Sequence, residues 1–174
     1  MSDFRPILRP ALAAKTAISS PQVKLSALPE GAIVHVLAQP GEHDMASFLR
    51  ALGKGAVRSV SPGQWFIVGD EPMTHRDMKA LLETLEPRAT GIDQSGGRVR
   101  IRIEGSQAAR VLSKGTAVDL SAGSLPVGQS ATTLVGHIAA HITRINTDSF
   151  ELMVLRGFAE SLWDDLTRMS AEYR

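Results

Sequence analysis

The chain has 174 residues, with 19 lysines and arginines against 18 aspartates and glutamates, and 43% of it is hydrophobic. That size and apolar content support a real buried core, while the near balance of charge excludes a chain-wide electrostatic grip on nucleic acid or on an anionic membrane. The absence of cysteine excludes disulfides, thiolate metal sites and a cysteine nucleophile; it fits a reducing compartment, and the cytoplasm is expected.

Residues 1–30 form the least globular stretch and read as an extended N-terminal arm, either a frayed tail or a strap across a partner. Pro6, Pro10, Pro21 and Pro29 punctuate it, and its larger apolar residues are too scattered to build a core alone. Residues 1–20 lack the continuous hydrophobic core of a secretory signal. Pro6 and Pro10 oppose a helical targeting segment around Arg5, Arg9 and Lys15, and no apolar run reaches bilayer-spanning length. Residues 31–174 are expected to form one compact domain of two halves, 31–87 and 91–174.

In the first half, residues 33–37 suit a strand, and residues 41–44 end it. Met45, Phe48, Leu49 and Leu52 then recur at helical spacing until Gly53 and Gly55. Residues 57–60 begin a strand pair; Ser61, Pro62 and Gly63 turn the chain; residues 64–68 form the next strand. Thr74, with Asp77 three positions on, predicts a capped helix over 75–86, with Met78, Leu81, Leu82 and Leu85 as its apolar face and Pro87 as its stop.

In the second half, Gly96 and Gly97 predict a hairpin turn. Val99, Ile101 and Ile103 alternate with Arg98, Arg100, Arg102 and Glu104, which predicts a strand with one apolar and one charged face. Ser106 is placed to cap a short helix through Ala108, Ala109, Val111 and Leu112, ended by Gly115. Residues 118–128 read as loop. Residues 130–145 read as a long strand or hairpin with Leu134, Ile138 and Ile142 on one face. After a turn at 146–149, residues 150–155 form a strand feeding a closing helix whose stripe is Phe158, Leu162, Leu166 and Met169, with Trp163 half covered beside it. The fold class expected is α+β: two related β-α-β-β-α-type halves, antiparallel or mixed sheets with helices packed on them.

Chemistry is sparse. Gly53 and Gly55 follow a helix, whereas a dinucleotide fingerprint runs from strand into helix. His137 and His141, on one strand face, would stand about 13 Å apart, too far to share a metal, and read as a polar or half-exposed face. Asp93 with Ser95, and Asp119 with Thr132 or Thr133, lack a basic partner and read as turn-forming groups. Asp164 and Asp165 diverge on their helix. Arg98, Arg100 and Arg102 make the one concentrated basic face, a solvated surface, a protein interface or a contact for phosphate. No catalytic, cofactor-binding or metal-ligating residue is assigned.

Several stretches carry a family resemblance. They are Arg156-Gly157-Phe158-Ala159-Glu160-Ser161-Leu162-Trp163, then Asp93-Gln94-Ser95 followed by Ile103-Glu104-Gly105-Ser106-Gln107-Ala108-Ala109-Arg110-Val111-Leu112. With them go Lys114-Gly115, Asp119-Leu120, Gly128, Thr132 and Pro62-Gly63-Gln64-Trp65-Phe66-Ile67-Val68. In this order the chain resembles the gamma subunit family of heterotetrameric sarcosine oxidase, similar in fold to the folate-binding domain of aminomethyltransferases. It departs from the family pattern at Gly157, often serine, and at Gly63 and Gln64, often acidic.

The resemblance implies an accessory, non-catalytic gamma subunit packed against the large alpha subunit of an alpha-beta-gamma-delta complex, with neither nucleic acid nor membrane as partner. Such a complex oxidatively demethylates sarcosine to glycine and passes the one-carbon unit to tetrahydrofolate. FAD, FMN, NAD and tetrahydrofolate are implied on the larger subunits. The alternatives are a stand-alone folate-binding or one-carbon-transfer protein, and a small nucleic-acid-binding protein using Arg98, Arg100 and Arg102.

Overall fold

The computed structural model describes residues 9–173. Its first sheet takes strands β3 (Ile33–Ala38), β4 (Ala56–Ser61), β5 (Gln64–Val68) and β6 (Ala89–Asp93) in the order β4-β5-β3-β6. Helices α1 (Met45–Ala51) and α2 (His75–Leu85) lie between these strands in sequence. The second sheet takes β1 (Ile18–Ser19), β2 (Lys24–Ala27), β7 (Arg98–Glu104), β8 (Ser130–Val135), β9 (Ile138–Asn146) and β10 (Ser149–Leu155) in the order β1-β2-β7-β10-β9-β8, with helices α3 (Ala108–Leu112) and α4 (Ala159–Met169). Every strand pair is antiparallel. The architecture is α+β, as the sequence predicts.

The four strands of the first sheet correspond to four of the six in the second, with β1 and β8 as additions. The hairpin β4-β5 beside β3 in the first sheet matches β9-β10 beside β7 in the second, and each half closes on a helix, α2 or α4. The fourth position is filled by β6 in the first sheet and by β2, from the N-terminal segment, in the second.

Strand alternation sorts side chains into four layers. On the outer face of the first sheet, Val34, Val36 and Ile67 pack with Met45 and Leu49 of α1 and Met78, Leu81 and Leu85 of α2. On the outer face of the second, Val99, Ile101, Ile103, Phe150, Leu152 and Val154 pack with Val111 of α3 and Leu162, Trp163 and Leu166 of α4. The inner faces meet through Ile33, Phe66, Val68 and Met153. Thr74 caps α2 as its spacing predicts, its hydroxyl oxygen accepting from the Asp77 amide at 3.1 Å. Gly91 lets α2 lie close on β6, since a Cβ there would stand 2.5 Å from Leu82 Cδ2.

Several expectations change. The described part of the N-terminal segment, 9–30, is bonded and partly core. Leu12, Val23 and Leu25 are buried, β2 pairs with β7, and Lys15 meets Asp164 at 2.8 Å. Residues 1–8 of the predicted arm lie outside the described residues. Pro87 ends α2, yet β6 beyond it still belongs to the first sheet. The turn at Gly96 and Gly97 is tight, with the Gly97 amide donating to Gln94 O at 2.9 Å. It joins β6 to β7, strands of different sheets, so it hands the chain across and forms no hairpin. Residue 107 occupies the N-cap of α3, and no side chain caps that helix.

Residues 130–145 form a hairpin that turns at Gly136, with φ of 61°. The turn reverses the faces, so Ile138 and Ile142 enter the core while Leu134 points away. The loop that precedes it is held by Arg144, whose guanidinium donates to the carbonyls of Leu120, Leu125 and Thr147 and lies over Phe150 at 4.6 Å.

The closing helix is rotated from the predicted stripe. A 3-10 turn over Arg156–Phe158 shifts the start of α4, leaving Phe158 52% exposed and Trp163 only 3% exposed. Trp163 is therefore the anchor. Its replacement by Ala is expected to cost about 3 to 5 kcal/mol, against about 0.5 kcal/mol or less for Phe158→Ala. Urea unfolding of the two variants beside the parent chain measures the contrast, and equal losses would contradict the placement.

Candidate functional site

The seam between the sheets holds the densest group of ionisable side chains. Because Val99, Ile101 and Ile103 face the outer core, Arg98, Arg100 and Arg102 must face inward, toward the first sheet. The predicted charged face is thus an interior one. Arg100 is 4% exposed; its Nη2 donates to Pro29 O at 2.9 Å, Gly69 O at 3.2 Å and Asp70 Oδ1 at 2.7 Å. Across the strand pair, Glu151 is 3% exposed and stands 3.7 Å from Arg100 Nη1 and 3.5 Å from Arg102 Nη2. These are ion pairs, but they are longer than good charge-assisted hydrogen bonds.

Farther along the seam, Phe66 is the hub. Arg98 lies 4.7 Å above its ring, His35 approaches at 4.8 Å, and His141 meets it edge-on at 5.4 Å. His141 Nε2 is 2.8 Å from the Ser59 carbonyl, so that nitrogen carries the proton. Burial lowers the His141 pKa most; the Ser59 bond opposes the shift, and Arg58 and Arg98 add to it. Burial also lowers His35, with the Gln64 bond at 3.2 Å opposing and Arg98 adding. His137 sits exposed in the β8-β9 turn, so the two histidines do not share a face, and His141 is buried where a half-exposed position was expected.

The remaining sequence candidates serve the architecture. Asp93 Oδ1 accepts from the Ser95 amide at 2.9 Å and its hydroxyl at 2.6 Å, and Ser95 Oγ in turn accepts from the Ile33 amide. Asp119 binds Ser121 and Ser124, away from Thr132 and Thr133, and those bonds lower its pKa. Asp164 binds Lys15, and Asp165 binds Arg168. A cavity of about 500 Å³ lies between the N-terminal segment and the β6-β7 turn, but Glu30, Asp93 and Arg156 in its lining are already engaged. Arg156 donates to Glu30 at 2.7 Å and to the Arg9 carbonyl at 2.7 Å. Among the described residues no group of three His, Asp or Glu side chains could hold a metal ion, and no helix is long and apolar enough to cross a membrane.

Sequence reasoning passed over Arg58, one strand away on β4, and Arg144. The signal for Arg58 was its place in the alternation Val57-Arg58-Ser59-Val60, which puts it on the same face as Val60 and thus into the seam. Apolar side chains also stand open at the seam's end. Leu134 is paired with Ala139, and Leu155, paired with Arg98, is 45% exposed.

Two sheets, each backed by helices and joined through such a seam, form the aminomethyltransferase-like fold. Glycine cleavage system aminomethyltransferase T from Bartonella henselae shares it, with a TM-score of 0.58 and 17% identity over 83% of this chain and 45% of that one. A chain of the heterotetrameric sarcosine oxidase from Corynebacterium sp. U-96 matches with a TM-score of 0.80 and 21% identity, over 95% of this chain and 96% of that one. No curated protein matches. The model of the sarcosine oxidase gamma subunit family matches residues 26–172, and the chain belongs to that family.

The depressed His141 pKa fixes the sign of one pH effect. The unfolded chain takes up a proton near the ordinary histidine value, about 6.5, and the folded one only at lower pH. Stability from this group is therefore complete above that value and is lost as pH falls below it. His141→Gln is expected to flatten the loss of stability between about pH 7 and pH 5, measured by urea midpoints across that range; an unchanged slope would contradict it.

Proposed function

We propose that this chain is the accessory gamma subunit of a heterotetrameric sarcosine oxidase and that it packs against the large alpha subunit. The observation that carries the reading is the family match over nearly the whole chain, joined to a fold that aligns end to end with a chain of such a complex. The internal use of its polar groups agrees with a supporting role. The aspartates and arginines that suggested hydrolytic or basic sites hold turns, the N-terminal segment and the seam. In this reading FAD, FMN, NAD and tetrahydrofolate reside on the larger subunits, which demethylate sarcosine and transfer the one-carbon unit.

The open apolar side chains supply the docking surface. Leu155 at 45% and Phe158 at 52% exposure lie three residues apart where β10 passes into α4, and Leu134 at 55% exposure lies on β8 in the same sheet; a hydrophobic partner face would cover them. The nucleic-acid alternative loses its basis, since Arg100 is buried and Arg102 is paired with Glu151. The stand-alone folate reading has no specific observation in its favour.

Co-expression with the flavoprotein subunits, followed by size-exclusion chromatography with mass detection, tests the proposal. A yellow multi-subunit peak containing this chain and turning over sarcosine is expected, and a colourless chain that never joins those subunits would sink it. Leu155→Asp should reduce the co-eluting fraction several-fold while shifting the isolated chain's stability by about 0.5 kcal/mol or less.

A further inference from the structure

The seam's charged end is more than an internal ion pair. A cavity of about 320 Å³ opens there, lined by Gly55, Ala56 and Arg58 on one side and by Arg100, Arg102 and Glu151 on the other. Three guanidinium groups thus face one space. Arg100 and Arg102 share Glu151 at ion-pair distances of 3.7 and 3.5 Å, and Arg100 also holds Asp70 at the rim. Arg58 makes no ion pair among the described residues, and the Nε atoms of Arg58, Arg100 and Arg102 are buried without an acceptor. Its charge nonetheless senses Glu151, Arg100, Arg102 and Asp70, and burial lowers its pKa most.

Charge and donors are both in excess. Three cations meet two carboxylates, one of which, Asp70, lies two-thirds exposed at the edge. A half-buried guanidinium with no carboxylate at ion-pair distance is costly, and its planar fork matches an oxyanion with two oxygens in one plane. The small lining residues Gly55 and Ala56 leave room beside Arg58 for a small molecule.

We propose that this cavity binds a small monoanionic carboxylate, gripped mainly by Arg58, with Arg100 and Arg102 supplying the surrounding positive field and Glu151 limiting the site to a single negative charge. The phosphate dianion, which arginine forks also accept, would overcharge a site that has an excess of one cation.

The test uses the full chain at pH 7 and constant ionic strength. Acetate and phosphate are titrated in place of chloride, with calorimetry and the thermal unfolding midpoint as readouts. A saturable response to acetate, absent with chloride, is expected, and Arg58→Gln should weaken it by about tenfold or more. Arg58→Lys keeps the charge but loses the fork, so it should weaken binding too, and it serves if the glutamine variant does not fold. Arg110→Gln, on α3 away from the seam, should bind as the parent chain does. Acetate behaving as chloride does, or either Arg58 variant binding as tightly as the parent, would overturn the site. Saturable phosphate binding tighter than acetate would overturn the carboxylate assignment, and its strengthening from pH 6 to pH 8, as the dianion comes to dominate, would overturn the single-charge limit as well. No response of the free chain, with a loss of subunit assembly in Arg58→Gln, would overturn the small-molecule ligand and give Arg58 to a partner's carboxylate.

Discussion

A carboxylate and a guanidinium buried between two sheets hold this molecule to one arrangement. Glu151 and Arg100 are 3% and 4% exposed, and removing either would leave the other's buried charge with one partner fewer. Arg100 does more than neutralise. From its place on β7 it reaches the carbonyl of Pro29, the carbonyl of Gly69 where β5 ends, and the Asp70 carboxylate. One side chain thereby joins the N-terminal segment, the first sheet and the second. Apolar contact at Ile33, Phe66, Val68 and Met153 brings the sheets together without direction, whereas the arginine's bonds select one register between them.

The same seam explains which parts of the structure were legible in the sequence. Periodicity found β3, β4, β5, β7, the β8-β9 stretch, β10 and both long helices, but not β1, β2 or β6; it succeeds where half of an element faces a wholly apolar layer, as Val99, Ile101 and Ile103 do on β7 and Leu81 and Leu85 on α2. Periodicity also separated Arg98, Arg100 and Arg102 from those residues, but it carries no information on what the second face meets. A strand with charges on alternate positions normally shows them to water. Here a second sheet covers them, and the pairing of Arg100 and Arg102 with Glu151 and Asp70, with Arg98 held by Gln94 and the Phe66 ring, makes that tolerable. The reversal at the closing helix has a local cause: one 3-10 turn over Arg156–Phe158 rotates the register, so that Trp163 enters and Phe158 leaves. The Gly96-Gly97 turn was found as a turn, but a turn of that size serves equally to reverse a strand or to pass between stacked sheets.

The chemistry that sequence motifs suggested was dispersed by the fold for a common reason. Asp93, Asp119, Asp164 and Asp165 each have a nearby donor in the structure, and each is used to tie down a turn, a loop or a terminus. A chain of the sarcosine oxidase gamma subunit family that spends its carboxylates this way is built to keep its shape. What it offers outward is apolar surface at Leu134, Leu155 and Phe158, and what it keeps inward is a positively charged pocket.

The position of β2 bears on the order in which the molecule can be made. All the strands of the first sheet lie between residues 33 and 93, and their partners are near in sequence, so this half can organise as soon as it leaves the ribosome. The second sheet has no such independence. Lys24 pairs with Glu104 and Leu25 with Ile103, so a segment synthesised early must wait beside a finished neighbour until β7 emerges. In the interval, Val23 and Leu25, fully buried at the end, stay uncovered. The segment that completes the sheet thus leaves apolar residues made early in synthesis uncovered until β7 is made.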